Sequence, residues 1–236
     1  MDKNIKTDHA CDVTFDIVQN GTFEMTLETG VTDNRPTCSI LRVIYKYLNH
    51  FEQYNVMIDI DHPVKDSSDI INSLASIGLM PEQINIIILT HLHPDHIGHK
   101  DLFPNAVFIF HGAERFAFYF KDNKTFKLEG SAIWRVGNQS WPEYIDYTPD
   151  LKNLNNDIYI RHCPGHTKGS IVIFACINGL VHVFVGGIFL NREYYQNWQP
   201  PGMSWKRKII FPHMNFIKNN ADIIIPGHGE PFRIGE

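Results

Sequence analysis

Residues 84–96 read INIIILTHLHPDH, an apolar run followed at once by three histidines and an aspartate. The run INIIIL is short, apolar and rich in β-branched residues, which is typical of a buried strand. The polar residues that follow it predict a loop that begins where this strand ends. The chemistry of the protein is therefore expected at a strand end.

The spacing of the four polar side chains suits a metal site. His91 and His93 are two positions apart, so their side chains point to the same side of an extended backbone. Pro94 turns the chain, and Asp95 and His96 can then approach the same space from another direction. Imidazole and carboxylate together are ligands for zinc, and also for iron or manganese. The alternative, a histidine-rich surface loop, is the weaker interpretation.

Two further turns repeat the pattern of a strand followed by a histidine. Residues 163–167 read CPGHT after the run IYIRH, and residues 226–229 read PGHG after an isoleucine run. Proline and glycine favour tight turns that expose the following histidine. Alone, each turn would be ordinary. Beside the first motif, His166 and His228 become predicted ligands.

Composition restricts the class of protein. The 236 residues are 43% hydrophobic and 20% charged, which is typical of a globular protein with a substantial core. The formal net charge of −5 argues against a nucleic-acid partner or an anionic membrane surface. The four cysteines form no Cys-x-x-Cys pair, and no apolar signal core or membrane span is evident. We therefore expect a cytoplasmic protein that acts on a small molecule.

The order of apolar segments predicts an α/β fold with two packed sheets and helices outside them. The predicted helices are Ser67–Ile77, with Asp66 or Ser67 as the cap, Glu114–Tyr119 and Trp205–Asn219. The predicted strands are Val13–Val18, Phe23–Leu27, Ile40–Leu48, Asn55–Ile60, Ile86–Thr90, Val107–Phe110, Ile158–His162, Ile171–Ala175, Val181–Val185 and Asp222–Ile225. Periodicity alone does not select one α/β architecture.

Two segments, 121–157 and 189–205, are predicted to be irregular and are rich in aromatic residues. Their aromatic side chains could wall an apolar pocket, form a homodimer interface or pack in the core. The residues concerned are Trp134, Trp141, Tyr194, Tyr195 and Trp198.

Together the motifs resemble those of the metallo-β-lactamase superfamily. The resemblance runs from VMID at 56–59 to PGHGEPF at 226–232. It implies a four-layer αββα sandwich, which we expect residues 1–236 to form as one domain. It also implies a site for one or two metal ions, with Zn²⁺ expected and iron or manganese possible, at one edge of the sandwich.

The resemblance also implies a role for each site residue. One metal would be held by His91, His93 and His166, and a second by Asp95, His96 and His228. Asp95 is also the candidate catalytic residue, orienting the nucleophile and passing a proton to the leaving group. Asp59, at a strand end, is interpreted either as a support for the site or as a simple turn residue.

One position departs from the family pattern. Most hydrolases of the family place an aspartate after a glycine, bridging both metals, where this chain has Gly187. Three interpretations follow: a bridging water suffices, the second site is weak, or residue 187 carries an inactivating substitution. His162, Cys163 and His182 are considered as substitute ligands, although strand or turn residues without a role fit them better.

The leading functional hypothesis is a hydrolase that uses a metal-bound hydroxide on a small ester, lactone, thioester or amide. A second hypothesis is an iron-dependent enzyme resembling the sulfur dioxygenases of the family. A third is a degenerate metal-binding or sensing protein that has lost turnover with the bridging aspartate.

Overall fold

The computed structural model describes residues 9–26, 30–47, 50–135, 141–154 and 157–236. The strands are β1 (His9–Gln19), β2 (Thr22–Thr26), β3 (Gly30–Arg35), β4 (Cys38–Tyr47), β5 (His50–Ile58), β6 (Ile86–Ile88), β7 (Val107–His111), β8 (Thr125–Leu128), β9 (Ala132–Trp134), β10 (Glu143–Tyr144), β11 (Ile158–His162), β12 (Ile171–Ile177), β13 (Leu180–Phe184), β14 (Ile223–Ile225) and β15 (Phe232–Arg233). The α-helices are α1 (Ser67–Ser76), α2 (Arg192–Gln196) and α3 (Ile210–Asn220).

The first sheet has the strand order β1-β4-β5-β6-β7-β8. The pairs β1/β4 and β4/β5 are antiparallel, whereas β5, β6, β7 and β8 run parallel to one another. The carboxyl ends of these parallel strands therefore meet at one edge of the sheet. Asp59, the histidine-rich loop after β6 and the turn after β7 all begin at this edge.

The second sheet has the order β10-β9-β11-β12-β13-β14-β15. Its neighbours are antiparallel except β13 and β14, which are parallel. The chain leaves β11, β13 and β14 toward the turns that carry His166, Gly187 and His228. A separate two-stranded sheet is formed by β2 and β3.

Successive side chains of each strand point to opposite faces of its sheet. The four layers of backbone therefore enclose three layers of buried side chains. Ile86 and Ile88 face the second sheet and pack with Ile160 and Ile173, while Ile87 faces the opposite way, toward α1. The second sheet likewise buries its outer face against α3. Because both faces of the central strands are covered, a strand such as β6 is apolar and buried on both sides. The architecture is an αββα sandwich, and the predicted fold class is confirmed.

The helix predictions hold in part. Helix α1 begins at Ser67, and its cap is Asp66, whose carboxylate accepts the Ser68 N–H at 2.9 Å. The helix predicted over Glu114–Tyr119 is wrong, because only a 3₁₀ turn at Ala117–Phe120 forms there. The helix predicted from Trp205 begins at Ile210, preceded by a 3₁₀ turn at Arg207–Ile209.

The two segments predicted to be irregular contain regular structure. Segment 121–157 contributes β8, β9 and β10, and α2 lies within segment 189–205. These elements are only two to five residues long, which is too short for a clear periodicity in the sequence. Leu27 and Leu48, at the ends of two predicted strands, lie outside the described residues. Among the residues that the structure describes, no helix has the length and apolar character required to span a bilayer.

Candidate metal centre

The loop after β6 carries four of the candidate ligands. His93 is extended, and Pro94 starts a 3₁₀ turn over Pro94–His96. This change of direction sends Asp95 and His96 to a different side of the cavity from His91. The geometry matches the arrangement predicted from the spacing.

A first group of three side chains consists of His91, His93 and His166. One ligand atom from each lies within 4.8 Å of the others. The Nε2 atoms of His91 and His166 are 3.1 Å apart, and the ring centroid of His93 is 4.6 Å from that of His166. We call these residues the three-histidine group.

A second group consists of Asp95, His96 and His228, with ligand atoms again within 4.8 Å of one another. Oδ2 of Asp95 lies 3.4 Å from Nε2 of His96 and 3.6 Å from Nε2 of His228. This aspartate group adjoins the three-histidine group, since the rings of His91 and His96 are 4.1 Å apart. The structure therefore brings all six candidate residues into one cavity.

Asp59 lies behind His96. Its Oδ2 is 2.8 Å from Nδ1 of His96 and accepts the Thr90 hydroxyl at 2.7 Å, while Oδ1 accepts the Thr90 N–H at 2.8 Å. A carboxylate only accepts, so Nδ1 of His96 carries a proton and Nε2 is the nitrogen that faces the cavity. The φ of Asp59 is +58°, which is unusual for a residue other than glycine. The surrounding contacts therefore hold Asp59 in this backbone conformation.

His91 and His228 have their tautomers set in the same way. The Thr90 hydroxyl gives its one proton to Asp59, so it accepts from Nδ1 of His91 at 3.0 Å. Nδ1 of His228 donates to the carbonyl oxygen of Arg35 at 2.7 Å. Both residues therefore present an unprotonated Nε2 to the cavity.

Burial keeps most of these histidines neutral. It is the main reason that the pKa of His166 is lowered to about 3 and that of His228 to about 4, and neighbouring histidines add to the effect. Burial also lowers the pKa of His91 well below its usual value and lowers that of His93. Neutral imidazole is the form that binds metal, so these residues are competent ligands near pH 7.

In the aspartate group, neighbouring charges outweigh the effect of burial on the pKa of His96 and of Asp95. Burial opposes protonation of His96, but Asp59 and Asp95 outweigh it and raise the pKa of His96. Burial also favours the neutral form of Asp95, but His96 and His228 outweigh it and lower the pKa of Asp95. Asp95 is therefore an anion that faces imidazoles.

The donor atoms fit a divalent cation. The Nε2 atoms of His91, His96 and His228 converge beside an anionic carboxylate, and only a cation or a proton satisfies such a set. Nδ1 of His166 is buried and, within the described part of the chain, has no hydrogen-bond partner. No protein acceptor therefore orients the His166 ring, whereas a cation at its Nε2 would.

Gly187 lies against His166. A Cβ at position 187 would lie 2.0 Å from Cδ2 and 2.5 Å from Nε2 of the His166 ring. The imidazole thus fills the space in which a longer side chain would begin. The His166 ring can occupy this position because residue 187 is glycine and not the aspartate that most hydrolases of the family have there.

Sequence reasoning missed Glu114 as a site residue. Glu114 follows β7 and is buried, and its carboxylate accepts the Leu92 N–H at 3.3 Å, the Gly169 N–H and the Thr167 hydroxyl. It therefore joins the loop of His91 and His93 to the loop of His166. Its position at a strand end of the same sheet edge was a usable signal.

Asn34 and Thr37 were also missed. Asn34, on β3, donates from Nδ2 to Oδ2 of Asp95 at 3.0 Å. The Thr37 hydroxyl donates to the Gly229 carbonyl at 2.7 Å and accepts the Gly229 N–H at 3.0 Å, which fixes the turn of His228. Asn34 lies 61 residues from Asp95 and Thr37 lies 192 residues from Gly229, and no local motif marks either residue.

The three residues considered as substitute ligands lie in neither group. His162 stacks on His111 with ring centroids 3.7 Å apart. Cys163 is buried, and burial raises its pKa to about 12. His182 lies on β13, with its ring 4.9 Å from that of Phe15.

A cavity of about 740 Å³ opens beside the three-histidine group. Its aromatic lining comes from Phe116 and from Trp205 of the aromatic segment 189–205, and none of the five aromatic residues named above lines it. Trp134, for example, is buried between the sheets, because β9 points it into the core. The cavity is lined by His93, Ala113, Glu114, Arg115, Phe116, His166, Thr167, Lys168, Met203, Ser204 and Trp205.

A sequence model described as the metallo-beta-lactamase superfamily matches residues 52–228, which is more than half of the chain. The chain belongs to this superfamily. The resemblance inferred from the motifs is thereby confirmed. Membership and the His/Asp cluster together imply binding of a divalent metal.

Relatives of this superfamily member are distant. Metallo-beta-lactamase domain-containing protein 1 of Xenopus laevis is 28% identical over 180 residues, covering 76% of this chain and 68% of the relative. A probable metallo-hydrolase of Methanocaldococcus jannaschii is 29% identical over 175 residues, covering 72% and 70%. An uncharacterised protein of Caenorhabditis elegans is 28% identical over 173 residues, covering 70% of this chain and 41% of that longer protein.

Several solved structures share the fold of this chain. A putative metallo-beta-lactamase of Thermotoga maritima has a TM-score of 0.60 at 14% identity, covering 94% of this chain and 99% of its own. A Bacillus thuringiensis enzyme with N-decanoyl-L-homoserine at its active site has a TM-score of 0.58 at 15% identity, covering 92% of each chain. A dizinc quorum-quenching lactonase has a TM-score of 0.53 at 14% identity, covering 81% and 72%.

Proposed function

We propose that this protein is a metal-dependent hydrolase that cleaves a small ester, lactone, thioester or amide. The observation that carries the proposal is the complete pair of ligand groups, in which unprotonated imidazole nitrogens and one ionised carboxylate share a buried cavity. Membership of the superfamily and the fold shared with lactonases support the same reaction class.

The three-histidine group would hold one ion and the aspartate group a second. The nitrogen and oxygen ligand set suits zinc, and one structural neighbour is a dizinc lactonase. When bound, a divalent ion lowers the pKa of water from 15.7 toward about 7 and polarises the oxygen of the substrate.

Asp95 is proposed to orient the attacking water and to pass a proton to the leaving group. The Asn34 amide holds Oδ2 of Asp95 from the side of β3. Asp59 and the Arg35 carbonyl keep the rings of His96 and His228 turned toward Asp95. Glu114 is proposed to hold the two histidine loops together at the wall of the substrate cavity.

The aspartate group also bears on the two alternatives. An oxygenase with a single iron needs one set of ligands, whereas this chain assembles a second set with its own supporting hydrogen bonds. The packing of His166 on Gly187 supports a site adapted to glycine rather than damaged by it.

The test is hydrolysis by protein reconstituted with zinc, using 4-nitrophenyl hexanoate and an N-acyl homoserine lactone. We expect turnover that a chelator removes and that His93→Ala abolishes, with one ion bound for each ligand group. The matched control is His62→Ala, outside both groups. Absence of turnover with zinc, iron and manganese would contradict the proposal, and oxygen uptake with a thiol on one bound iron would favour the oxygenase.

A further inference from the structure

The cavity beside the three-histidine group carries positive charge. Arg115 and Lys168 both line it and are both exposed. Among the described residues, neither cation has an acidic partner within 4.0 Å. The Lys168 ammonium lies 5.4 Å from the centroid of the Trp205 ring, on the same wall.

The acidic residue that lines the cavity is engaged elsewhere. Glu114 is only 6% exposed, and its carboxylate oxygens accept from Leu92, Gly169 and Thr167. These bonds hold its carboxylate within the wall, where donors from three residues occupy its oxygens. Arg115 and Lys168 can therefore pair with an anionic group of a molecule that binds in the cavity.

The rest of the wall is apolar and firmly attached to the candidate metal centre. Phe116, Met203 and Trp205 supply the apolar surface. The backbone N–H of Trp205 donates to the backbone carbonyl of His166 at 2.9 Å, which fixes this wall relative to the three-histidine group. A ligand that contacts the wall would be held at a set distance from the site of reaction.

We propose that Arg115 and Lys168 select substrates that carry a carboxylate on an apolar body, with the scissile acyl group beside His93 and His166. This inference rests on the proposed function and deepens it. A volume of about 740 Å³ suits a small molecule. The net charge of −5 disfavours a polyanion, so a single carboxylate is the matching group.

The test compares two esters of equal chain length on zinc-loaded protein, the mono-4-nitrophenyl ester of adipic acid and neutral 4-nitrophenyl hexanoate. We expect a higher kcat/KM for the acidic ester. Arg115→Gln and Lys168→Gln should each lower the ratio of the two kcat/KM values about two- to fivefold, as for a solvent-exposed charge pair. The matched control is Lys124→Gln, an exposed lysine outside the cavity, which should leave the ratio unchanged.

Binding supplies a readout independent of turnover. Zinc-loaded protein should bind 4-phenylbutyrate more tightly than 4-phenylbutyramide, and Arg115→Gln and Lys168→Gln should reduce that preference. A preference unchanged in both variants would overturn the inference, because the carboxylate would then be held by the metal alone. Preferred cleavage of bis-4-nitrophenyl phosphate would also overturn it. If neither ester is cleaved while the binding preference follows the two cations, hydrolysis of esters is contradicted, whereas carboxylate binding by Arg115 and Lys168 is supported.

Discussion

Oδ2 of Asp59 lies 2.8 Å from Nδ1 of His96, and this contact sets which nitrogen of His96 faces the candidate metal centre. The same oxygen accepts the hydroxyl proton of Thr90, which in turn sets the tautomer of His91. One carboxylate thus controls the donor atoms of a residue in each ligand group.

Asp59→Asn is expected to weaken zinc binding by about 10- to 100-fold, because the amide no longer anchors His96 and Thr90 with two acceptor oxygens. A competitive titration against a chelator measures the affinity. Asp101→Asn, on an exposed aspartate that pairs with Lys100, is the matched control and should change nothing. Unaltered zinc affinity in Asp59→Asn would contradict the supporting role.

Gly187→Asp is expected to lower metal content instead of restoring a bridging ligand. A Cβ at this position overlaps the His166 imidazole, which must leave the three-histidine group. Metal analysis after gel filtration measures the effect, and Gly187→Ala separates the steric part from the carboxylate. Gly202→Ala is the control, since its Cβ meets nothing within 4 Å. Higher metal content and activity in Gly187→Asp would refute this account of the glycine.

Glu114→Ala should destabilise the protein by about 1–3 kcal/mol for each buried donor that loses its acceptor. The donors concerned are the N–H groups of Leu92 and Gly169 and the hydroxyl of Thr167. Urea unfolding measures the loss, with Glu82→Ala on an exposed glutamate as the control. A free energy of unfolding equal to that of the wild type would show that Glu114 does not hold the loops together.

Metal-free protein should lose stability as the pH falls from 7 to 5. Burial is the main reason that the pKa of His166 is lowered to about 3 and those of His111, His213 and His228 to about 4. Unfolded histidines take up protons near pH 6.5 and the folded ones do not, so the unfolded state gains relative stability on acidification. Urea unfolding at the two pH values tests the sign, and His111→Gln should reduce the dependence. A free energy of unfolding at pH 5 that equals or exceeds the value at pH 7 would contradict this prediction.

Much of the candidate site could be predicted because its ligands follow strands that local composition reveals. The run INIIIL, the CPGHT turn and the PGHG turn each place histidines directly after a buried strand, and the packing of the two sheets brings these strand ends together at one edge of the sandwich. The helix predicted at Glu114–Tyr119 was wrong because local composition does not decide the structure of that segment. A few residues with helical composition do not form a helix when neighbouring contacts favour a 3₁₀ turn.

The sequence by itself determined the superfamily and the six candidate ligands, because the motifs that carry them are short contiguous runs, and the αββα fold followed from that resemblance. Only the tertiary structure decided how those ligands are held. The Arg35 carbonyl reaches Nδ1 of His228 across 193 residues, and Asp59 reaches His96 across 37. Hydrogen bonds depend on distance in space, and no periodicity or local motif records which distant oxygen will lie behind a given imidazole.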